Sequence, residues 1–235
     1  DMIFKGQTVM ITGAAGNLGQ AVAAAFAAAG ANLALLDIND AALAQVPVAG
    51  AADTLRQRVD LADPASIAGA TGAAIARFGR IDALCNLAGG FQMGEKVHEI
   101  SGDIWNRMMD LNAGSLLRMS HSVVPHMLQA GGGKIVNIGA NAALGGKAEM
   151  GAYVASKSAV IRLTESMAAE LRSHNINVNC VLPSIIDTPQ NRAAMPKADP
   201  RKWVAPEALA DVLLFLCSPA ARAIHGAAIP VVGLS

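Results

Sequence analysis

The 235-residue chain predicts an α/β fold: one doubly wound parallel sheet of about seven strands, in three layers α/β/α. Three observations predict it. Short β-rich runs alternate with longer alanine-rich helical ones, the signature of βαβ units. Several short runs are apolar without alternation, as expected when helices cover both faces of a sheet. The first run leads directly into a glycine-rich turn that opens a helix.

Taken in order, the first strand is predicted over Thr8–Ile11 and its helix over Leu18–Ala28, where alanine dominates. Strands follow at Asn32–Leu36 and Gln57–Val59. The next helix spans Pro64–Phe78, with Asp63 as N-cap and Pro64 at the first helical position. After a strand at Ala83–Asn86, one long helix runs from about Ile104 to Gln129. Strands at Lys134–Ile138, Asn177–Leu182 and Ala228–Val232 enclose helices at Tyr153–Ser173 and Pro206–Cys217, the latter opened by its proline. No internal repeat or low-complexity linker interrupts the pattern, so residues 1–235 read as a single domain. Asp1, ahead of Met2, reads as an expression remnant.

Composition narrows the function. The chain is 53% hydrophobic and 15% charged, with zero formal net charge, which suits one large core. Balanced charge gives no reason to expect nucleic acid or an anionic membrane surface as partner. Cys85, Cys180 and Cys217 are far apart in apolar runs and read as reduced core thiols, and the five histidines lack metal-ligand spacing, so no metal is expected. Ala21 to Leu36 is the most hydrophobic early stretch. It is broken by Gly30 and Asn32 and lacks a basic lead-in, so neither a signal peptide nor a membrane span is expected, and the expected compartment is the cytosol.

The turn Thr12-Gly13-Ala14-Ala15-Gly16-Asn17-Leu18-Gly19 carries the first functional signal. Glycines between a strand and a helix permit a tight turn and let backbone amides approach a pyrophosphate at the helix N-terminus. This makes the fold Rossmann-like and the chain a candidate dinucleotide binder. The second strand leads to Asp37, where a carboxylate can accept hydrogen bonds from both adenosine ribose hydroxyls and would repel a 2′-phosphate. Ile38 follows, and the glycine turn contains no Arg or Lys. NAD is therefore the expected cofactor, ahead of NADP.

Tyr153 is the only tyrosine, and Lys157 follows it at i+4, on the same face of a helix. A phenol beside a fixed ammonium suits proton transfer to or from a substrate oxygen or nitrogen. The free phenol titrates near ~10, and bringing that to neutrality takes roughly 4 kcal/mol of differential stabilisation. One cation in water would not supply it, but a cation in a dry cleft beside an oxidised nicotinamide would.

Along its whole length the chain resembles the short-chain dehydrogenase/reductase family. Thr12-Gly13 through Gly19 is similar to that family's TGxxxGxG turn, with Asn17 at the middle glycine, a residue that tolerates left-handed φ. Asp60-Leu61 matches the pair that contacts adenine, and Asn86-Leu87-Ala88-Gly89 resembles the NNAG motif, placing Asn86, Ala88 and Gly89 at the cofactor. Tyr153 and Lys157 match YxxxK, where the lysine also grips the nicotinamide ribose. The resemblance implies that Asn112 bends the long helix and holds a water linked to Lys157. It puts Pro183-Ser184 in place of Pro-Gly, Ile186 at the cofactor and Thr188 on the carboxamide, with a substrate loop at about 188–206. The family's catalytic serine falls at Ala140, and losing such a donor costs about 10²–10³ in rate. Asn141 is a candidate replacement.

From Val181 the sequence also resembles quinonoid dihydropteridine reductases, through Val181-Leu182-Pro183, Asp187-Thr188-Pro189, Asn191-Arg192, Met195-Pro196, Ala198-Asp199 and Trp203. Ala88-Gly89-Gly90-Phe91 is similar to their turn beside the pterin, and they too have alanine at the serine position. Met195, Trp203 and Phe91 are candidates to close a flat apolar pocket. The expected activity is thus NAD(H)-dependent hydride transfer to or from a carbonyl or conjugated imine, including a dihydropteridine reductase-like activity. Tyr153, Lys157 and Asn112 are its catalytic candidates. A general ketone/alcohol dehydrogenase of the same family is the alternative, and a non-catalytic NAD(H) sensor or scaffold is the alternative of another class. The expected partner is a small-molecule substrate. Long helices rich in alanine, methionine and leucine, which family members pair across two-fold axes, imply a homodimer or homotetramer.

Overall fold

In a computed structural model, which describes residues 2–235, seven parallel strands form one sheet. Asp1 lies outside the described residues. The strands are β1 (Thr8–Thr12), β2 (Asn32–Asp37), β3 (Asp53–Arg58), β4 (Ala83–Asn86), β5 (Gly133–Ile138), β6 (Ile176–Pro183) and β7 (Ala228–Val231). Their order is β3-β2-β1-β4-β5-β6-β7. The chain builds outward from β1 in one direction, then returns to begin again at β4. The carboxyl ends of β1 and β4 therefore flank the switch point where such sheets bind ligands.

The helices are α1 (Asn17–Ala28), α2 (Asp40–Leu43), α3 (Pro64–Phe78), α4 (Gly102–Met109), α5 (Ser115–Ala130), α6 (Gly151–Leu171), α7 (Pro189–Ala194) and α8 (Pro206–Cys217). Successive strand residues divide between two cores. Val9, Ile11, Leu33, Leu35 and Val136 pack with Phe26 of α1 and Leu213 of α8. Met10, Ala34, Leu84 and Ile135 pack on the other face with Ile67 of α3, Met119 of α5 and Val160 of α6. Both faces are covered, which accounts for the unalternated apolar strands. No helix among the described residues is long and apolar enough to cross a membrane.

Local sequence fixes the element ends. The Asp63 side chain accepts a hydrogen bond from Ala65 N at 2.9 Å, and Gly79 closes α3 in the left-handed conformation at φ 80°. Most ends of the expected elements fall within two residues of expectation, and two differences are larger. β3 begins at Asp53 rather than Gln57, because this edge strand (Asp-Thr-Leu-Arg-Gln-Arg) is polar and half exposed and offers no apolar run to read. The single long helix expected from Ile104 to Gln129 is divided by a π-helical turn at Asp110–Gly114, with Asn112 buried in it. Wide turns of this kind free backbone groups and recur at functional sites.

Candidate active site

The carboxyl ends of β1, β2 and β4 open into a cleft of about 400 Å³. Six of the expected cofactor residues, Gly13, Asp37, Asp60, Leu61, Ala88 and Gly89, line it together with Ile38, Leu111 and Arg118. Gly13 sits at φ 63°, and a Cβ there would lie 3.0 Å from Ala88 N. A side chain would push the two loops apart. Gly19 is a packing glycine: its Cβ would meet Gly13 O at 2.1 Å, so α1 seats directly on the turn. Thr12 Oγ1 accepts from Leu87 N at 3.1 Å and Ala88 N at 3.2 Å, binding the two loops into one rim. The clamping role of Thr12 joins segments 75 residues apart and is not legible in the motif itself.

The site suits a dinucleotide. Gly16 caps α1 without a side-chain hydrogen bond, so the amides of Asn17, Leu18 and Gly19 keep the open donors of a helix N-terminus. Asn17 is already helical and does not use the left-handed conformation that asparagine tolerates: Glu149 and Asn175 are the non-glycine residues at positive φ among those described. Its side chain instead donates to Gln190 Oε1 of α7 at 2.9 Å. Asp37 accepts from Ala15 N and Asn39 N, each at 3.0 Å and on different carboxylate oxygens, which leaves lone pairs on both for ribose hydroxyls. Asp60 accepts from Ala62 N at 2.9 Å, and Leu61 O accepts from Arg118 Nε.

Other expected cofactor residues do not line this cleft. The buried Asn86 side chain donates to Asn137 Oδ1 at 2.9 Å, and Asn137 donates on to Thr164 at 3.0 Å. It ties β4 to β5 inside the core. Pro183 ends β6, Ile186 pairs with Val204, and the Thr188 hydroxyl accepts from Asn191 N at 3.1 Å as the N-cap of α7. All three belong to the strand end and loop beyond the cleft lining.

Tyr153 and Lys157 share a face of α6, as their spacing predicts. The Tyr153 ring is partly buried and does not face bulk water. It packs on a small apolar cluster that includes Ala140, Ile161 and Leu182, and Phe91 meets it with ring centroids 4.9 Å apart and planes at 81°. Lys157 is buried, and its Nζ donates to Ile138 O at 2.9 Å. Asn112 Oδ1 accepts from Gly90 N at 2.8 Å, while its Nδ2 donates to Gly90 O at 3.0 Å and Ser156 Oγ at 2.9 Å. Asn112 and Lys157 converge at the cleft rim: a Cβ on Gly89 would stand 2.8 Å from Asn112 Oδ1 and 3.1 Å from Lys157 Nζ.

Burial dominates the electrostatics. It pushes the Tyr153 phenol up to about 12 and the Lys157 ammonium down to about 8. Burial alone shifts the phenol, in the direction opposite to the acidification that a second positive charge beside it would bring. Ala140 is 3% exposed and offers no donor. Asn141, the next residue, makes no side-chain hydrogen bond among the described residues and is partly exposed. Trp203, a candidate to close the pocket, is buried at 8% exposure.

The family model described as short chain dehydrogenase matches residues 7–199. The chain belongs to that family. The D-threitol dehydrogenase of Mycolicibacterium smegmatis is 33% identical over 245 residues, covering 99% of this chain and 94% of the relative. The 7alpha-hydroxysteroid dehydrogenase of Escherichia coli K12 is 33% identical, covering 97% and 93%. Among solved structures, a short-chain type dehydrogenase/reductase from Mycobacterium ulcerans superposes with a TM-score of 0.92 at 28% identity, covering 98% of this chain and 90% of that one. An NAD+-bound xylitol dehydrogenase does so at 0.90 and 27%, covering 98% and 99%. The chain is thus an oxidoreductase of the dehydrogenase type on a Rossmann-like fold.

Proposed function

We propose that this oxidoreductase uses NAD(H) to interconvert a carbonyl or conjugated imine with its reduced form. The dinucleotide, when bound, supplies or takes up the hydride at its nicotinamide. The observation that carries the reading is the convergence of Lys157 and Asn112 on Gly89, at the cleft rim and one helical turn from Tyr153. Gly13, Asn17, Leu18 and Gly19 would receive the pyrophosphate, Asp37 the adenosine ribose, and Asp60 and Leu61 the adenine. The carboxylate of Asp37 supports NAD(H) over NADP(H).

Tyr153 carries the proton. With its pKa near 12 in the free protein, the phenol is protonated and ready to donate during reduction. Lys157, fixed by Ile138 O, would hold the nicotinamide ribose and stabilise the phenolate left after donation. Asn112 positions the Gly90 backbone and, through Ser156, the start of α6. The Ser156 hydroxyl in turn donates to Tyr153 O at 2.7 Å. Residues 188–206 form the substrate loop, and the whole chain works as one cytosolic domain in a homo-oligomer.

Within this reading the resemblance after Val181 and the apolar Ala140 favour a substrate needing little polarisation, such as a quinonoid dihydropterin, which gains aromatic stabilisation on reduction. A second reading, a general ketone or alcohol dehydrogenase, is favoured by the relatives, whose names specify threitol, xylitol and a hydroxysteroid. NADH absorbance followed with quinonoid dihydropterin, simple ketones and ketoses tests both. Turnover of any of them with NADH in preference to NADPH is expected. Tight NADH binding without turnover across the panel would leave a non-catalytic binder.

A further inference from the structure

Between Ile186, which packs on the core, and Lys202, whose carbonyl accepts from Leu234 N at 2.9 Å, the segment is stapled mainly to itself. Thr188 caps α7, Asn191 Nδ2 donates to Ile186 O at 2.8 Å, and Arg192 pairs with Asp187 at 2.6 Å. Ile186 and Val204 form a bridge that closes its base. The anchors stand at its two ends, where Pro183 lies in β6 and Trp203 and Val204 are buried. By contrast, α7 buries no residue. Among the described residues, a single hydrogen bond joins α7 to the body of the protein: Asn17 Nδ2 to Gln190 Oε1, at 2.9 Å.

The other end of that bond is telling. Asn17 is the first residue of α1, so its backbone amide belongs to the anion-binding helix terminus while its side chain reaches across to the flap. A glycine there could not make this connection. We infer that Asn17 and Gln190 form a side-chain clasp that holds α7 over the glycine turn and sets the rate at which the dinucleotide enters and leaves. The inference rests on the dinucleotide-binding reading but not on any particular substrate.

A clasp has a kinetic signature that an ordinary ligand contact lacks. A bond that spans the path of the ligand without touching it bars entry and exit alike, so breaking it opens the path in both directions. Association and dissociation of NADH both accelerate while the equilibrium affinity changes little. Loss of a direct contact would raise dissociation alone. An exposed amide–amide bond is worth little, so the expected acceleration is about three- to tenfold.

The test is stopped-flow NADH fluorescence on the full chain, comparing Asn17→Gly, Gln190→Ala, the double variant and the exchanged pair Asn17→Gln/Gln190→Asn. Expected are faster exchange in each single variant, no further gain in the double variant, and slow exchange restored by the exchanged pair. Unchanged rates in Gln190→Ala would overturn the clasp, as would additive effects in the double variant. If the wild-type chain bound no NADH, the dinucleotide reading itself would fall, and the clasp with it.

Discussion

The ammonium of Lys157 is fixed on the carbonyl oxygen of Ile138, 2.9 Å away at the end of β5. That bond holds a buried cation one helical turn from Tyr153 and beside Gly89 of the cleft rim, and its burial, not a partner charge, sets the chemistry of the site. Lys157 titrates near 8 and Tyr153 near 12 in the free protein. The lysine therefore changes charge across the working range while the phenol does not. An oxidised nicotinamide beside the pair would favour the phenolate, because a second positive charge offsets the cost of desolvation.

A pH profile follows from the lysine. Its protonated form is the one that stabilises the phenolate left by proton donation, and this form is lost as pH rises through about 8. In the reducing direction, kcat/KM should be flat at acidic to neutral pH and fall tenfold per pH unit above about 8. A profile that stays level to pH 10 would show that Lys157 is not the titrating group.

The phenol can be watched directly because Tyr153 is the only tyrosine. At about pH 11 a free phenol is mostly ionised, whereas Tyr153 should still be protonated and give little phenolate absorbance. Phe91→Ala removes the ring that meets it at 4.9 Å, so water reaches the phenol and its pKa should move down towards the ordinary value. An unchanged titration in Phe91→Ala would mean that the ring is desolvated by α6 and the Ala140 cluster alone.

Ala140→Ser adds the hydroxyl that the site lacks. Turnover of a simple ketone should rise about ten- to hundredfold, and that of a quinonoid substrate much less, because the latter needs less polarisation. The hydroxyl also enters an apolar cluster with Ile161 and Leu182, at a cost of about 1–3 kcal/mol if it finds no partner there. Thermal denaturation should therefore show a modest loss of stability. Asn141→Ala in the parent should lower ketone turnover if the exposed amide already stands in for the serine.

Gly89→Ala tests the convergence of Asn112 and Lys157. The new methyl would lie 2.8 Å from Asn112 Oδ1, so the asparagine or the loop must shift. Activity should fall at least tenfold in the steady state, with a stability loss of about 1–3 kcal/mol. Full activity in this variant would show that the rim tolerates the displacement and that the convergence has no catalytic use.

These residues also show which parts of the protein are legible in its sequence. The Thr8 and Asn32 strands, the glycine turn and Asp37 are local signals, with apolar period and turn chemistry lying next to each other in the chain. Tyr153 and Lys157 are equally local, one turn apart. The start of edge strand β3 is not legible, because a polar strand with one solvated side carries no apolar run. Helix α7 was missed because six residues capped by Thr188 bury nothing and leave no periodicity. The contacts that join distant segments were not legible at all. Asn86 bonds Asn137 across two strands, Thr12 clamps the loop after β4, and Asn17 meets Gln190 near the other end of the chain. Asn112 stood out through family resemblance, but its bonds to Gly90 and Ser156 depend on the π-helical turn, which no pattern of residue types announces. The pKa order of the catalytic pair was likewise hidden, since it depends on how much protein surrounds each group.

The most direct test of the account is Tyr153→Phe, assayed for NADH oxidation with the best substrate of the panel and, separately, for NADH binding by fluorescence. The substitution removes one oxygen from a partly buried ring and keeps its packing against Phe91 and the Ala140 cluster. Turnover should drop by at least 10²-fold, the contribution of a positioned proton donor, while NADH affinity stays within a few-fold of the parent. Turnover equal to that of the parent chain would contradict the account, because the proton would then come from another group.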